Sequence, residues 1–115
     1  MSEATIFERI ATREIPANVV AETERVIAFF DIAPRAKLHV VVTPKLGTYQ
    51  NVTELAAGDP ALLAEIVAVA KQVADEHANG EYRLIFNTGA SAGQTVFHVH
   101  AHVLSGDLEE QSLAR

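Results

Sequence analysis

Three features of this 115-residue chain predict an α+β domain, a mostly antiparallel five-stranded sheet covered on one face by a single long helix. Short runs rich in Val, Ile, Phe and Tyr recur between turn residues, as strands do when hairpins or short connections join them. One segment, about Ala61 to Ala78, carries a sustained 3.6-residue apolar period. The stretch Gln94 to Leu104, QTVFHVHAHVL, alternates His98, His100 and His102 with Val99, Ala101 and Val103, which is the two-residue period of a strand.

In chain order, Thr5 is placed to cap a short helix reaching about Arg13, with Glu8 three residues on as capping-box partner and Ile6, Phe7 and Ile10 along one side. Pro16 is expected to end it. Val19 to Ala21 and Arg25 to Asp31 read as strands around a turn at Glu22 to Glu24, and Asp31-Ile32-Ala33-Pro34 closes the second. Lys37 to Thr43 is a third strand, with Leu38, Val40 and Val42 on one face and His39, Val41 and Thr43 on the other. Pro44 and Gly47 break it. Asn51 to Ala57 looks helical, and Asp59-Pro60 supplies an N-cap and first-turn proline for the long helix, whose stripe is Leu62, Leu63, Ile66, Val69, Ala70 and Val73. Asn79-Gly80 stops it, Tyr82 to Asn87 is a fourth strand, and the loop Thr88 to Gly93 leads into the fifth. The whole chain, 1–115, reads as one domain with its core at about 5–106 and a polar tail at 107–115, expected to be frayed or docked on a partner.

The histidines carry the chemistry. A strand places His98, His100 and His102 on one face, and three buried imidazoles in a row need more hydrogen-bond partners than an ordinary core supplies. Given one long helix, that face should be the one turned away from it. Two chemistries want such a row. One is a metal site, although at about 3.4 Å per residue His98 and His102 stand roughly 13 Å apart, too far to share one tetrahedral ion. Two of them with a donor from elsewhere, such as His39, His100 and His102, would remain a possible set. The other uses one imidazole as nucleophile or base while its neighbours orient it and bind an anion. His39, the other histidine inside a predicted strand, could join the site across the sheet; His77, near the end of the long helix, suits the helix dipole and is assigned no role. The loop NTGASAGQT offers backbone N–H groups, the Ser91 and Thr95 hydroxyls and the Asn87 and Gln94 amides to an anion. Asp31 could hold ribose hydroxyls or simply start a turn.

Composition bounds the rest. With 49% hydrophobic and 21% charged residues the chain is globular. It carries no apolar run approaching a membrane span, and its first residues lack the basic and apolar regions of a secretory signal, which makes the cytoplasm the expected compartment. Zero cysteines exclude thiol catalysis, disulfides and cysteine-held zinc. A net charge of −6 argues against nucleic acid as partner, though not against a single nucleotide.

The segment HVHAHVL fits the His-φ-His-φ-His-φ-φ signature, φ being apolar, and resembles the histidine triad proteins. The resemblance extends through TIFERIATREIPANVVAETERVIAFFDIAPRAKLHVVVTPK and YRLIFNTGASAGQTVFHVHAHVLSG, from Thr5 to Gly106, and the TIF-x-x-I start, EIPA and DIAP are similar to the Hint branch of purine nucleoside phosphoramidases. It implies a homodimer whose two sheets join into one. It implies also hydrolysis of adenosine 5′-monophosphoramidates and related AMP–amine or acyl-AMP compounds, with no metal or other cofactor. By motif position His100 would attack the α-phosphorus to give a nucleotidyl-histidine. His102, His98 and His39 would position it, hold phosphoryl oxygens and help protonate the leaving amine. Asn87, Gln94 and Thr95 would serve the phosphate, Asp31 the ribose, and Phe7, Ile10, Phe29 and Ile32 the base. Two departures stand out: Gly47, where many Hint proteins carry a further histidine, and a tail GDLEEQSLAR without the tryptophan that reaches the partner's site. The altered tail motivates an alternative, a purine-nucleotide-binding or regulatory module with weak turnover.

Overall fold

A computed structural model describes residues 3–110. Helix α1 (Ile6–Ala11) is capped as its sequence predicts, with Thr5 Oγ1 accepting from Glu8 N and the Glu8 carboxylate accepting from Thr5 N. It ends earlier than expected. Arg13 takes a left-handed φ of 68° and turns the chain before Pro16 is reached. Strands β1 (Val19–Glu22), β2 (Val26–Phe30) and β3 (Leu38–Pro44) follow, then α2 (Val52–Gly58), α3 (Pro60–His77), β4 (Arg83–Ile85), a 3₁₀ turn at Ala90–Ala92 and β5 (Ala101–Ser105). Asp59 Oδ1 accepts from Leu62 N at the head of α3, and Gly80, at φ 85°, returns its N–H to Ala74 O at the other end.

The sheet runs β1-β2-β3-β5-β4 with every neighbouring pair antiparallel, so the predicted α+β class holds. Its two faces are built from alternate residues. Val26, Ala28, Val40, Val42, Val99, Ala101 and Val103 pack against Leu62, Ile66, Val69 and Val73 of α3. Each Val, Leu or Ile among them, fully buried, contributes roughly 1.5–3 kcal/mol. The opposite face holds a smaller apolar cluster, Ile27, Phe29 and Val41 with Phe7 and Ile10 of α1, and beside it the histidines.

One element differs from expectation in a way that matters. The fifth strand begins at Ala101, not Gln94, so His98 and His100 precede the ladder. Other groups claim the backbone there: Val99 N donates to Tyr49 O, Val99 O accepts from Thr43 Oγ1, and His98 O accepts from the His100 ring. The alternation survives without ladder pairing, because Val99 still faces α3. The start of the tail is also less free than expected, since Asp107 pairs with Lys37 and Glu109 O accepts from Arg83; residues 111–115 of it lie outside the described residues. No helix among the described residues is long and apolar enough to cross a membrane.

Candidate active site

Four imidazoles from β3, β5 and the segment before β5 meet on the face away from α3. His39 and His102 lie with Nε2 and Nδ1 2.9 Å apart, the His100 and His102 ring centroids are 5.2 Å apart, and Phe7 sets its ring against both His98 and His100. His77 stands apart, edge-on to Phe30 on the helix side. A groove of about 650 Å³ opens between Phe30, Lys37, His77 and Ser105, and none of the four clustered imidazoles lines it.

The hydrogen-bond partners fix where each proton sits. A backbone N–H can only donate, and Arg35 N donates to His39 Nδ1 at 3.0 Å, so neutral His39 carries its proton on Nε2. That proton goes to His102 Nδ1, which leaves the His102 proton on its own Nε2. A carbonyl can only accept, and His98 O lies 2.8 Å from His100 Nδ1, so His100 is protonated at Nδ1 and keeps its lone pair on Nε2. His98 donates from Nε2 to Pro44 O at 2.7 Å and accepts at Nδ1 from Thr5 Oγ1 at 2.6 Å. Six of the eight ring nitrogens are thereby tied to protein. The two without a partner among the described residues, and so left for a ligand, are His100 Nε2, a lone pair, and His102 Nε2, an N–H. Burial depresses the pKa of all four rings and keeps them neutral, His102 furthest, to about 4, with the neighbouring His100 and His39 adding to the effect.

Comparison with known proteins bears on family and fold. The family model for the C-terminal binding region of the scavenger mRNA decapping enzyme matches residues 4–115. A HIT-like protein of Synechococcus elongatus is 44% identical over 107 residues, covering 92% of this chain and 93% of its own. The purine nucleoside phosphoramidase of Escherichia coli K12 is 38% identical over 108 residues, covering 92% and 90%. A HIT family hydrolase from Clostridium thermocellum superposes with a TM-score of 0.89 at 41% identity, over 98% of this chain and all of that one. The chain belongs to the histidine triad family.

In this histidine triad protein the other expected site residues are placed as follows. Asp31 starts the turn that its position allowed, with Oδ1 accepting from Ala33 N at 2.8 Å, and its Oδ2 faces His39 Nε2 at 3.5 Å. Phe7, Ile10 and Phe29 form a buried floor beside the rings, whereas Ile32 projects fully into solvent. Asn87 is half-buried and Thr95 exposed, at the two ends of the small-residue loop. Gln94 is committed to the fold: its amide N–H groups go to Gln50 O and Val96 O and its oxygen accepts from Gly89 N. It braces the loop and has no donor left for a nucleotide.

Asp31, His39 and His102 place ligand-type atoms within 4.8 Å of one another, the spacing of a metal site. Their hydrogen bonding is wrong for one. A ligating histidine normally donates its second nitrogen to an acceptor, but the second nitrogen of His39 faces a backbone N–H. To ligate through Nε2, His39 would have to become imidazolate or break that bond, so the triad protein's cluster fits a proton-ordering role better than a cation.

Sequence reasoning missed the groups that set these tautomers. Thr5 was expected only as a helix cap, and Arg35 N and Pro44 O carry no local signal of contact with a histidine. Thr5 and His98 are 93 residues apart in sequence.

Proposed function

We propose that this histidine triad protein is a nucleotide hydrolase that cleaves the P–N or acyl-phosphate bond of AMP-linked substrates through a nucleotidyl-histidine at His100. The observation that carries this is the pairing of a free lone pair at His100 Nε2 with a free N–H at His102 Nε2, both held neutral by burial. The name borne by the Escherichia coli relative supports the substrate class.

In this reading His100 Nε2 forms a bond to the α-phosphorus as the bond to the amine breaks; the departing nitrogen takes a proton from solvent and leaves as the amine. The imidazolium so formed is stabilised by its Nδ1–H bond to His98 O. His102 Nε2–H donates to a phosphoryl oxygen, countering the charge that grows there in the transition state. Arg35 N–H pins His39, and His39 pins His102, so His102 serves as a fixed donor rather than a group that picks up a proton. Water then breaks the histidine–phosphorus bond, releasing AMP and a proton and returning the lone pair to Nε2. Asp31 Oδ2 would accept from the ribose, Asn87 and Thr95 would contact phosphate, and Phe7, Phe29, Ile10 and the exposed Ile32 would border the base. A homodimer joined through one of the sheet edges, β1 or β4, is part of the same reading; light scattering tests it.

The decisive experiment is hydrolysis of adenosine 5′-phosphoramidate by EDTA-treated wild type and His100→Asn, with mass spectrometry of quenched wild-type reactions for an added AMP. Turnover with a labile adduct in the wild type alone is expected. No turnover and no adduct, with AMP still bound, would replace the hydrolase by the nucleotide-binding module.

A further inference from the structure

Beside the reactive rings lies a second network, which joins α1 to the loop after β3. Thr5 Oγ1 accepts from Glu8 N at 3.1 Å and lies 2.6 Å from His98 Nδ1. The Glu8 carboxylate accepts from Thr5 N and from Gly47 N, each at 2.9 Å. A Cβ at Gly47 would stand 3.1 Å from His98 Nδ1 and 3.3 Å from Thr5 Cγ2, so the missing side chain is what lets the loop close on this network. His98 is wholly buried, and its Nε2 proton is spent on Pro44 O. Its Nδ1 therefore needs a donor, and among the described residues the proton on hand is that of the Thr5 hydroxyl. One hydroxyl thus accepts to cap a helix and donates to clamp an imidazole.

We propose that Thr5 is a positioning residue for the nucleophile: by holding the His98 ring from α1 while Pro44 O holds it from β3, it fixes the His98 carbonyl that keeps the His100 proton on Nδ1 and the lone pair on Nε2. The inference rests on the reading of His100 as nucleophile. It assigns α1 a part in the chemistry, where the capping box alone accounts only for the helix.

Two substitutions separate the roles. Serine keeps both functions of the hydroxyl. Glycine is about as good an N-cap as threonine but has no side-chain proton to give His98. Thr5→Ser should stay within about threefold of wild-type kcat, while Thr5→Gly should lose roughly 10- to 100-fold in kcat with KM changed by less than about threefold. The ¹⁵N ring shifts of His100, measured by NMR on the same proteins without substrate, should move toward the Nε2–H tautomer in Thr5→Gly and stay put in Thr5→Ser. Unchanged kcat and unchanged His100 shifts in Thr5→Gly, even with a lowered melting temperature, would reduce Thr5 to a helix cap and overturn the proposal. If the wild type turns over no phosphoramidate, the proposed function fails on its own, and the His100 shifts still decide the role of Thr5.

Discussion

The two faces of the sheet are made by the same strands, yet they are held together by different physics. Toward α3, Val40, Val42, Ala101 and Val103 meet Ile66, Val69 and Val73 in a packing of aliphatic side chains with no directional bonds. On the other face, one residue out of step, His39 and His102 are joined through hydrogen bonds in which every donor has a specified acceptor, beside a smaller apolar cluster. A packed face tolerates some change of shape at a cost in stability. A face built on proton order should keep its fold and lose its chemistry when one donor or acceptor is changed.

Breaking that contrast starts at the nucleophile. His100→Asn is expected to lower kcat by at least roughly 10⁴-fold while moving unfolding stability by less than about 1 kcal/mol; phosphoramidate kinetics and urea titration check the pair of numbers, and a large stability loss would mean the rings also carry the fold. The mirror experiment is Ile66→Ala, which empties a fully buried site under the sheet. A loss on the order of 3 kcal/mol is expected in urea, with kcat of the folded protein changed by less than about twofold. A collapse of kcat there would show that the faces are not independent.

Acid sharpens the comparison, because buried titratable rings lie on one face alone among the described core residues. The folded pKa of His102 is about 4 against an ordinary 6.5, so the unfolded chain binds the extra proton first. The stability this ring contributes is complete above about pH 6.5 and drains away as pH falls toward 4, reaching on the order of 2 kcal/mol by pH 5. His39, His98 and His100 shift the same way, again through burial. Unfolding titrations from pH 7 to 5 should show the loss in wild type and in Ile66→Ala, and a shallower slope in His102→Gln.

A smaller effect is expected at Gly47→Ala, where the new methyl presses on His98 and Thr5. It should cost about 1 kcal/mol and reduce kcat several-fold, a mixed result that marks the place where the two kinds of order touch. Smallest is Lys71→Gln, which removes an exposed i,i+4 pair with Asp75; neither the urea midpoint nor the activity should change measurably.

Local pattern carried most of the fold. The Thr5–Glu8 capping box, the Asp59-Pro60 start of α3, the Asn79-Gly80 stop and the split of β3 into Val40 and His39 faces depend on near neighbours and on the period of the backbone, and all are present as read. The row of histidines was visible for the same reason, since alternation states which side chains share a face. What alternation could not state is how those side chains are bonded. The late start of β5, the commitment of Gln94 to Gln50 and Val96, the exposure of Ile32 and the clamp of Thr5 on His98 all depend on partners brought together by folding. The sequence by itself determined that three imidazoles stand together on the face away from the helix. The tertiary structure decided which nitrogen of each ring holds the proton, because a tautomer is set by the donor or acceptor opposite it, and those groups come from residues distant in the chain.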